Sequence, residues 1–342
     1  MSAREDLQER LSAFPRVRLA ALPTPLERCE RLSATLGGPE IWIKRDDLTG
    51  LAMGGNKTRQ LEFVFADILR QGCDTVVAGA YTQSNWCRQM TAASRKLGLE
   101  ISVVLLHGEK GPKLQGNLLL MKLLGADVTV VDLDTIERLQ PLLEEKATEL
   151  RASGRRPYIV APMGVESLSL GALGYVAAAL ELDGQLAQNG IDADHFYLCG
   201  ANMTPAGMAL GLKALGRRTR FHNIAPIKWS EPRGENIAEI GNAAAERLGI
   251  ATRLAAAELD STDAYIGPRY GVVTDACREA LRLVASTEGI ILDPVYSGKA
   301  MAGLIDHVRT GRIGKGETVI FLHTGGTPAL FAYADDLGLD GV

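Results

Sequence analysis

The sequence is poor in the features that define several protein classes. Its five cysteines (Cys29, Cys73, Cys87, Cys199 and Cys277) are an odd, scattered set without a C-x-x-C pair. That excludes a disulfide frame and a cysteine zinc site, and leaves reduced core thiols. Charge is nearly balanced, with 37 basic against 41 acidic residues and a net −4, and there is no basic block. Nucleic-acid binding therefore finds no support. No apolar run approaches the ~20 residues that span a bilayer. The opening stretch MSAREDLQERLSAF is charged where a secretory signal would be apolar. A soluble cytoplasmic protein with no nucleic-acid or membrane partner is expected. Also missing are an HExxH helix, a nucleophile elbow, a Rossmann glycine fingerprint and an intact phosphate-binding loop. No metal site is expected.

What is present is an ordinary globular composition, 46% apolar and 23% charged over 342 residues. One large domain or two smaller ones fit, with a substantial core. Residues 1–40 are a helical lead-in followed by the proline-punctuated segment 22–26, and 41–45 reads as a strand. Apolar, β-branched strands then start at 75, 101 and 127, an even step of 26 residues with helical patterns between them (86–97 and 113–124). That spacing predicts right-handed crossovers and a parallel sheet covered on both faces. A helix over 135–152 closes this block. The strand at 158–161 opens a second α/β series, with helices near 171–188, 206–215, 235–248 and 274–288 and strands at 195–199, 220–227 and 318–323. The fold class is α/β, two doubly wound, mostly parallel sheets. Residues 1–52 and 163–342 are expected to form a large domain, and 53–162 a small inserted one.

In such sheets ligands gather beyond the carboxyl ends of the strands, which selects a few loops. The first is Gly54-Gly55-Asn56-Lys57-Thr58-Arg59, a lysine just after a glycine pair, with an apolar helical pattern running on behind it. Gly50 and Gly55 begin a phosphate-loop pattern, but Asn56 stands where its lysine belongs. By spacing alone Lys57 is either a solvated surface residue or a nucleophile in a helix-opening turn. In the second case a nearby cation would lower its pKa toward the free amine. Tyr81-Thr82-Gln83-Ser84-Asn85-Trp86 is a polar cluster entering a helix, suited to a carboxylate or a phenolic oxygen, or simply a cap. Gly200 to Gly207 combines small residues, a hydroxyl and a helix start, as a phosphate cradle does. His323-Thr324-Gly325-Gly326-Thr327-Pro328 and Asp293-Pro294-Val295-Tyr296-Ser297 complete the set. A lysine, an anion cradle and hydroxyl-rich turns fit pyridoxal 5′-phosphate better than other cofactors.

Several stretches, spread over nearly the whole chain in order, carry a resemblance: LPTPLERCERLSATLGGPEIWIKRDDLTG, GGNKTRQLEF, TQSNWCRQ, GALGY, LDPVYSGKAMAGLI and FLHTGGTPALF. The sequence resembles the D-cysteine desulfhydrase / 1-aminocyclopropane-1-carboxylate (ACC) deaminase group of fold type II pyridoxal-phosphate enzymes. The resemblance implies that Lys57 is the Schiff-base lysine and that Asn56 and Asn85 contact the cofactor, Asn85 at its phenolic oxygen. It implies a phosphate site at Ala201, Asn202, Met203, Thr204, Ala206 and Gly207, with Thr324 also at the cofactor. Ser84 would bind the substrate carboxylate, and Tyr265, in Tyr-Ile-Gly-Pro, and Tyr296 would line the reacting face as catalytic residues. Trp86, Met163 and Ser297 would complete the substrate pocket, and a homodimer is implied.

ACC deaminases carry Glu at the position of Ser297, facing the pyridine nitrogen, and Leu at that of Thr324. Both differences point to the carbon–sulfur lyase side, D-cysteine desulfhydrase or L-cysteate sulfo-lyase. The expected reaction is α,β-elimination on a small β-substituted amino acid. ACC deamination, a related lyase with an altered substrate, and a cofactor-binding protein without turnover are the alternatives. Trp86, Met163, Glu166 and Met203 depart from the family pattern near the expected pocket. Trp86 either packs between the two units or narrows the pocket in favour of an apolar β-substituent.

Overall fold

A computed structural model describes residues 2–133, 135–160, 164–228 and 232–339. The first sheet has the order β1-β2-β10-β7-β8-β9. Its strands are β1 (Leu26–Arg28), β2 (Glu40–Arg45), β7 (His195–Cys199), β8 (Arg220–Ile224), β9 (Leu259–Thr262) and β10 (Thr318–His323). The second sheet, β5-β4-β3-β6, uses β3 (Thr75–Tyr81), β4 (Glu100–Leu106), β5 (Asp127–Val131) and β6 (Pro157–Ile159). Every pairing is parallel except β1 with β2. The α/β, mostly parallel reading is correct. One detail differs: β6 does not open the second series but returns beside β3, Thr75 facing Pro157.

The helices are α1 (Ala3–Ser12), α2 (Glu30–Leu36), α3 (Lys57–Arg70), α4 (Asn85–Lys96), α5 (Gly116–Leu123), α6 (Gln140–Ala152), α7 (Val165–Asn189), α8 (Met203–Ala214), α9 (Arg233–Leu248), α10 (Asp275–Glu288), α11 (Ser297–Arg309) and α12 (Thr327–Leu330). Fully buried strand residues such as Val76, Val77, Phe196, Leu198, Ile320 and Phe321 explain the near-continuous apolar runs, because both faces of each sheet are covered. α7 is long and apolar enough, by length and composition, to cross a bilayer. Here its Leu173, Val176, Ala179 and Leu182 belong to the core shared with α8 and α9. The helices touch closely: a Cβ on Gly207 of α8 would lie 2.1 Å from the Ala172 carbonyl oxygen of α7.

One buried ionic network ties the N-terminal segment to α3 and α7. The Asp46 carboxylate accepts from Arg59 Nε (2.8 Å) and Nη2 (2.9 Å), from the Thr24 hydroxyl (2.8 Å) and from Tyr175 (2.6 Å). Glu181 accepts from both Arg59 Nη atoms (3.0 and 2.8 Å) and from Lys44 Nζ (2.5 Å). Burial alone would raise the Asp46 carboxyl, but the charge and hydrogen bonds of Arg59 outweigh it and hold it below the usual carboxylate range. Two cations and two anions balance, which is what keeps such a set tolerable in a dry interior.

Candidate active site

The loops at the strand ends meet around a cavity of about 160 Å³. Lys57 is the first residue of α3 and lines it. The turn before it is tightly specified. Gly54 and Gly55 have φ of +68° and +124°, and a Cβ on Gly54 would lie 1.8 Å from the Asp47 carbonyl oxygen. Ala52 and Met53 also take positive φ (43° and 68°), strain of the kind that clusters at functional sites. Arg88, fully buried, holds this turn: it donates to the carbonyls of Ala52 and of Gly54 (3.0 Å) and more weakly to Asn85 Oδ1 (3.4 Å). With no carboxylate partner among the described residues, burial pulls the guanidinium down to about 10.

Lys57 itself is shifted down to about 8. The cause is burial, partly offset by nearby Cys199, and not the neighbouring cation that the sequence suggested. Ser84 and Asn85 line the cavity where α4 begins. Ser84 is also a true cap, its hydroxyl accepting from the Cys87 N–H (3.1 Å). Asn85 Oδ1 accepts from Asn117 Nδ2 (2.9 Å), which leaves the Asn85 amide nitrogen as the free donor.

Across the cavity, Gly200, Ala201, Asn202 and Met203 lead into α8, whose N-terminus Asn202 leaves without a side-chain cap. Those first N–H groups are an anion site. The Thr204 hydroxyl accepts from both Asn56 Nδ2 (2.8 Å) and Gln60 Nε2 (2.7 Å), so its own proton is left to donate. Gly200 has no room for a side chain, with Pro205 Cδ 2.6 Å from its would-be Cβ. Ala206 and Gly207 are not brought to the cavity. The Ala206 N–H bonds to the Asn202 carbonyl (3.1 Å), and Gly207 packs on α7. Thr324 lines the cavity, and its carbonyl accepts from the Asn56 N–H (3.0 Å).

Tyr296 also faces the cavity, and its hydroxyl lies 2.7 Å from that of Tyr270, which stacks on Tyr81 at 5.1 Å. Burial pushes both phenols up, so both are protonated donors near neutrality. Tyr270 is a residue that sequence reasoning missed. Tyr265 was expected there, but it bonds to Asp306 Oδ2 (2.5 Å), packs at His307 and does not line the cavity. Ser297 is also placed elsewhere. Its hydroxyl donates to Asp293 Oδ1 (2.6 Å) and accepts from the Asp293 N–H (2.7 Å), so it closes a turn and does not line the cavity. Glu166 is exposed and paired with Arg247 (3.6 Å). Met203 and Trp86 do line the cavity, and Trp86 packs against the cores of both sheets as well. Met163 lies outside the described residues.

A buried amine, an uncapped helix start with a spare hydroxyl proton, and a carboxamide donor between them suit a cofactor with an aldehyde, a phosphate and a phenolic oxygen. The fold and site are thus those of a fold type II pyridoxal-phosphate enzyme. Residues 17–325 match the family described as "Pyridoxal-phosphate dependent enzyme", and the chain belongs to that family. It is 42% identical over 332 residues to a D-cysteine desulfhydrase of Yersinia pestis (strain Pestoides F), covering 96% of this chain and 98% of that protein. A D-cysteine desulfhydrase of Salmonella paratyphi C (strain RKS4594) is 42% identical over 328 residues, covering 94% and 97%. Among solved structures, one described as an ACC deaminase homologue superposes with a TM-score of 0.87 at 37% identity, over 97% of this chain and 98% of that one. Pyridoxal 5′-phosphate is the cofactor. Lys57, Asn56, Asn85 and the Gly200–Met203 turn line the cavity and would hold it, with Thr204, which does not line the cavity, supporting Asn56.

Proposed function

We propose that the protein is a carbon–sulfur lyase that performs α,β-elimination on a small β-substituted amino acid, releasing an α-keto acid, ammonia and the leaving group. The observation that carries this reading is the meeting of Lys57, the start of α4, the uncapped start of α8 and Tyr296 around one cavity. The names of the relatives, D-cysteine desulfhydrases, support the same reaction class. When bound, the cofactor supplies the electron sink that makes a substrate Cα–H acidic. The Lys57 amine, made available near pH 8 by burial, anchors that cofactor and is the base for the Cα proton. The Ser84 hydroxyl and the first N–H groups of α4 bind and orient the substrate carboxylate. Tyr296, its hydroxyl shared with Tyr270, is the proton donor to the departing group. D-Cysteine, giving pyruvate, ammonia and sulfide, is the first substrate to test.

We assign it to the cytoplasm, where its five free cysteines stay reduced, as a homodimer free of nucleic acid and membrane. Exposed Leu114, Leu119 and Leu123 on and beside α5 offer an apolar face to a second copy. Borohydride treatment of the holoenzyme should fix the cofactor onto the Lys57 peptide, read by mass spectrometry. A panel of D- and L-β-substituted amino acids should yield pyruvate. No pyruvate from any of them makes this a cofactor-binding protein without turnover. Dominant 2-oxobutyrate formation from ACC makes it a deaminase.

A further inference from the structure

Among the described residues that line the cavity, Lys57 is the only side chain of the Lys, Arg, His, Asp or Glu types. Three buried charged groups close by are committed elsewhere. Arg88 donates to backbone carbonyls, Arg59 is paired with Asp46 and Glu181, and Lys299 Nζ donates to the Ile266 carbonyl (2.6 Å). Lys57 is itself taken by the cofactor and the proton transfer. A substrate β-substituent carrying a full negative charge therefore meets no further cation among the described residues that line the cavity. Taking a sulfonate or carboxylate out of water without a partner is among the most unfavourable steps a binding site can impose. The wall instead offers Val64, Trp86, Ile136, Val160, Leu168 and Ile227. Trp86 follows Ser84 and Asn85 at the start of α4 and lines the same cavity. An indole gives one donor and no good acceptor, which matches a sulfur or hydrocarbon surface better than an oxyanion.

Resting on the lyase reading above, we propose that the physiological β-substituent is uncharged and apolar, so that the substrates are S-alkyl or S-aryl cysteines rather than cysteate. The reaction balances with water as the only co-reactant. The Cα–H and Cβ–S bonds break and the sulfur leaves as a thiol after taking a proton. The released 2-aminoacrylate tautomerises and is hydrolysed to pyruvate and ammonium.

The test has two arms on the holoenzyme. In the first, S-methyl-, S-ethyl- and S-benzyl-cysteine, cysteine and cysteate, each in both hands, are compared by coupled pyruvate detection. At least one S-substituted substrate should exceed cysteate in kcat/KM by 100-fold or more. The second arm does not depend on turnover. Isothermal titration with homophenylalanine, an unreactive isostere of S-phenylcysteine, should show binding at least tenfold tighter than 2-aminobutyrate and tighter still than aspartate. Trp86→His should shrink the homophenylalanine advantage severalfold, whereas Trp86→Phe retains it. Because each comparison is a ratio on one preparation, a partly unfolded variant does not distort it. Cysteate turned over as well as the thioethers, or homophenylalanine bound no better than 2-aminobutyrate, overturns the proposal. Pyruvate from cysteine with none from the thioethers also overturns it and leaves the lyase reading intact. Silence on every compound removes the lyase reading itself.

Discussion

Asp46→Asn isolates one charge in the network that seats α3. The substitution keeps size and shape but removes the negative charge and turns one acceptor oxygen into a donor. Asp46 is wholly buried and accepts four hydrogen bonds, two from Arg59 and one each from Thr24 and Tyr175. In the variant, Lys44 and Arg59 face Glu181 alone. Breaking a buried pair from one side costs about 3–5 kcal/mol, a large part of a total stability of roughly 5–15 kcal/mol. With a urea slope near ~3 kcal/mol/M for a chain of this size, the unfolding midpoint should fall by roughly 1–2 M. The better exposed pair Arg309–Glu279 supplies the control: Glu279→Gln should cost about 0.5 kcal/mol or less. The pH dependence has a definite sign. The folded carboxyl of Asp46 is held below its ordinary value, so its contribution is complete above the unfolded value of about 3.9 and fades as pH falls through the depressed one. The gap between wild type and Asp46→Asn should therefore close in acid. A midpoint shift no larger than the control, or a gap that stays constant down to acid, would refute the network argument.

Reconstitution of the apoenzyme should follow the Lys57 amine. The rate of covalent cofactor attachment rises with pH about a midpoint near 8, not near the 10.5 of an ordinary lysine; a profile still climbing at pH 10 contradicts burial as the cause. Tyr270→Phe removes the hydroxyl partner of Tyr296 and should lower kcat by about 10²-fold or more. Tyr265→Phe, which loses only the bond to Asp306, should leave kcat within about twofold. Steady-state kinetics on both variants decide between the two tyrosines.

Much of the scaffold is legible in the chain because its signals are local. Strands at 75, 101 and 127 announce themselves through β-branched runs at even spacing, and β7 and β10 lie at the expected 195–199 and 318–323. Lys57, Ser84, Asn85 and Thr324 follow strand ends that the doubly wound rule singles out, Tyr296 lies in the loop before α11, and all five line one cavity. The misses have physical causes. Tyr270 sits in an irregular stretch between β9 and α10, where no periodicity separates it from Tyr265 five residues earlier. Arg88 reads as a solvated arginine, and nothing in sequence reveals that its partners are backbone carbonyls 34 and 36 positions away. α8 begins three residues before the expected 206 because Pro205 is tolerated in a helix's first turn, where its missing N–H is not needed. Ser297 was assigned to the substrate pocket by resemblance, whereas the carboxylate four residues before it claims its hydroxyl.

The place of β10 gives the protein a particular order of assembly. In the six-stranded sheet it lies between β2 and β7, with Thr318 beside Glu40 and Val319 beside His195. As the chain leaves the ribosome, β3, β4, β5 and β6 all emerge within one continuous span and can pair with one another. β2 has only β1 for company until nearly the whole polypeptide has been made. Contacts so distant along the chain are slow to form and leave apolar strand faces exposed meanwhile. A chain cut short before Thr318 therefore loses its keystone rather than a tail. One ribbon of β1 and β2 and another of β7, β8 and β9 would remain, with the cofactor lysine attached to one and its phosphate cradle to the other.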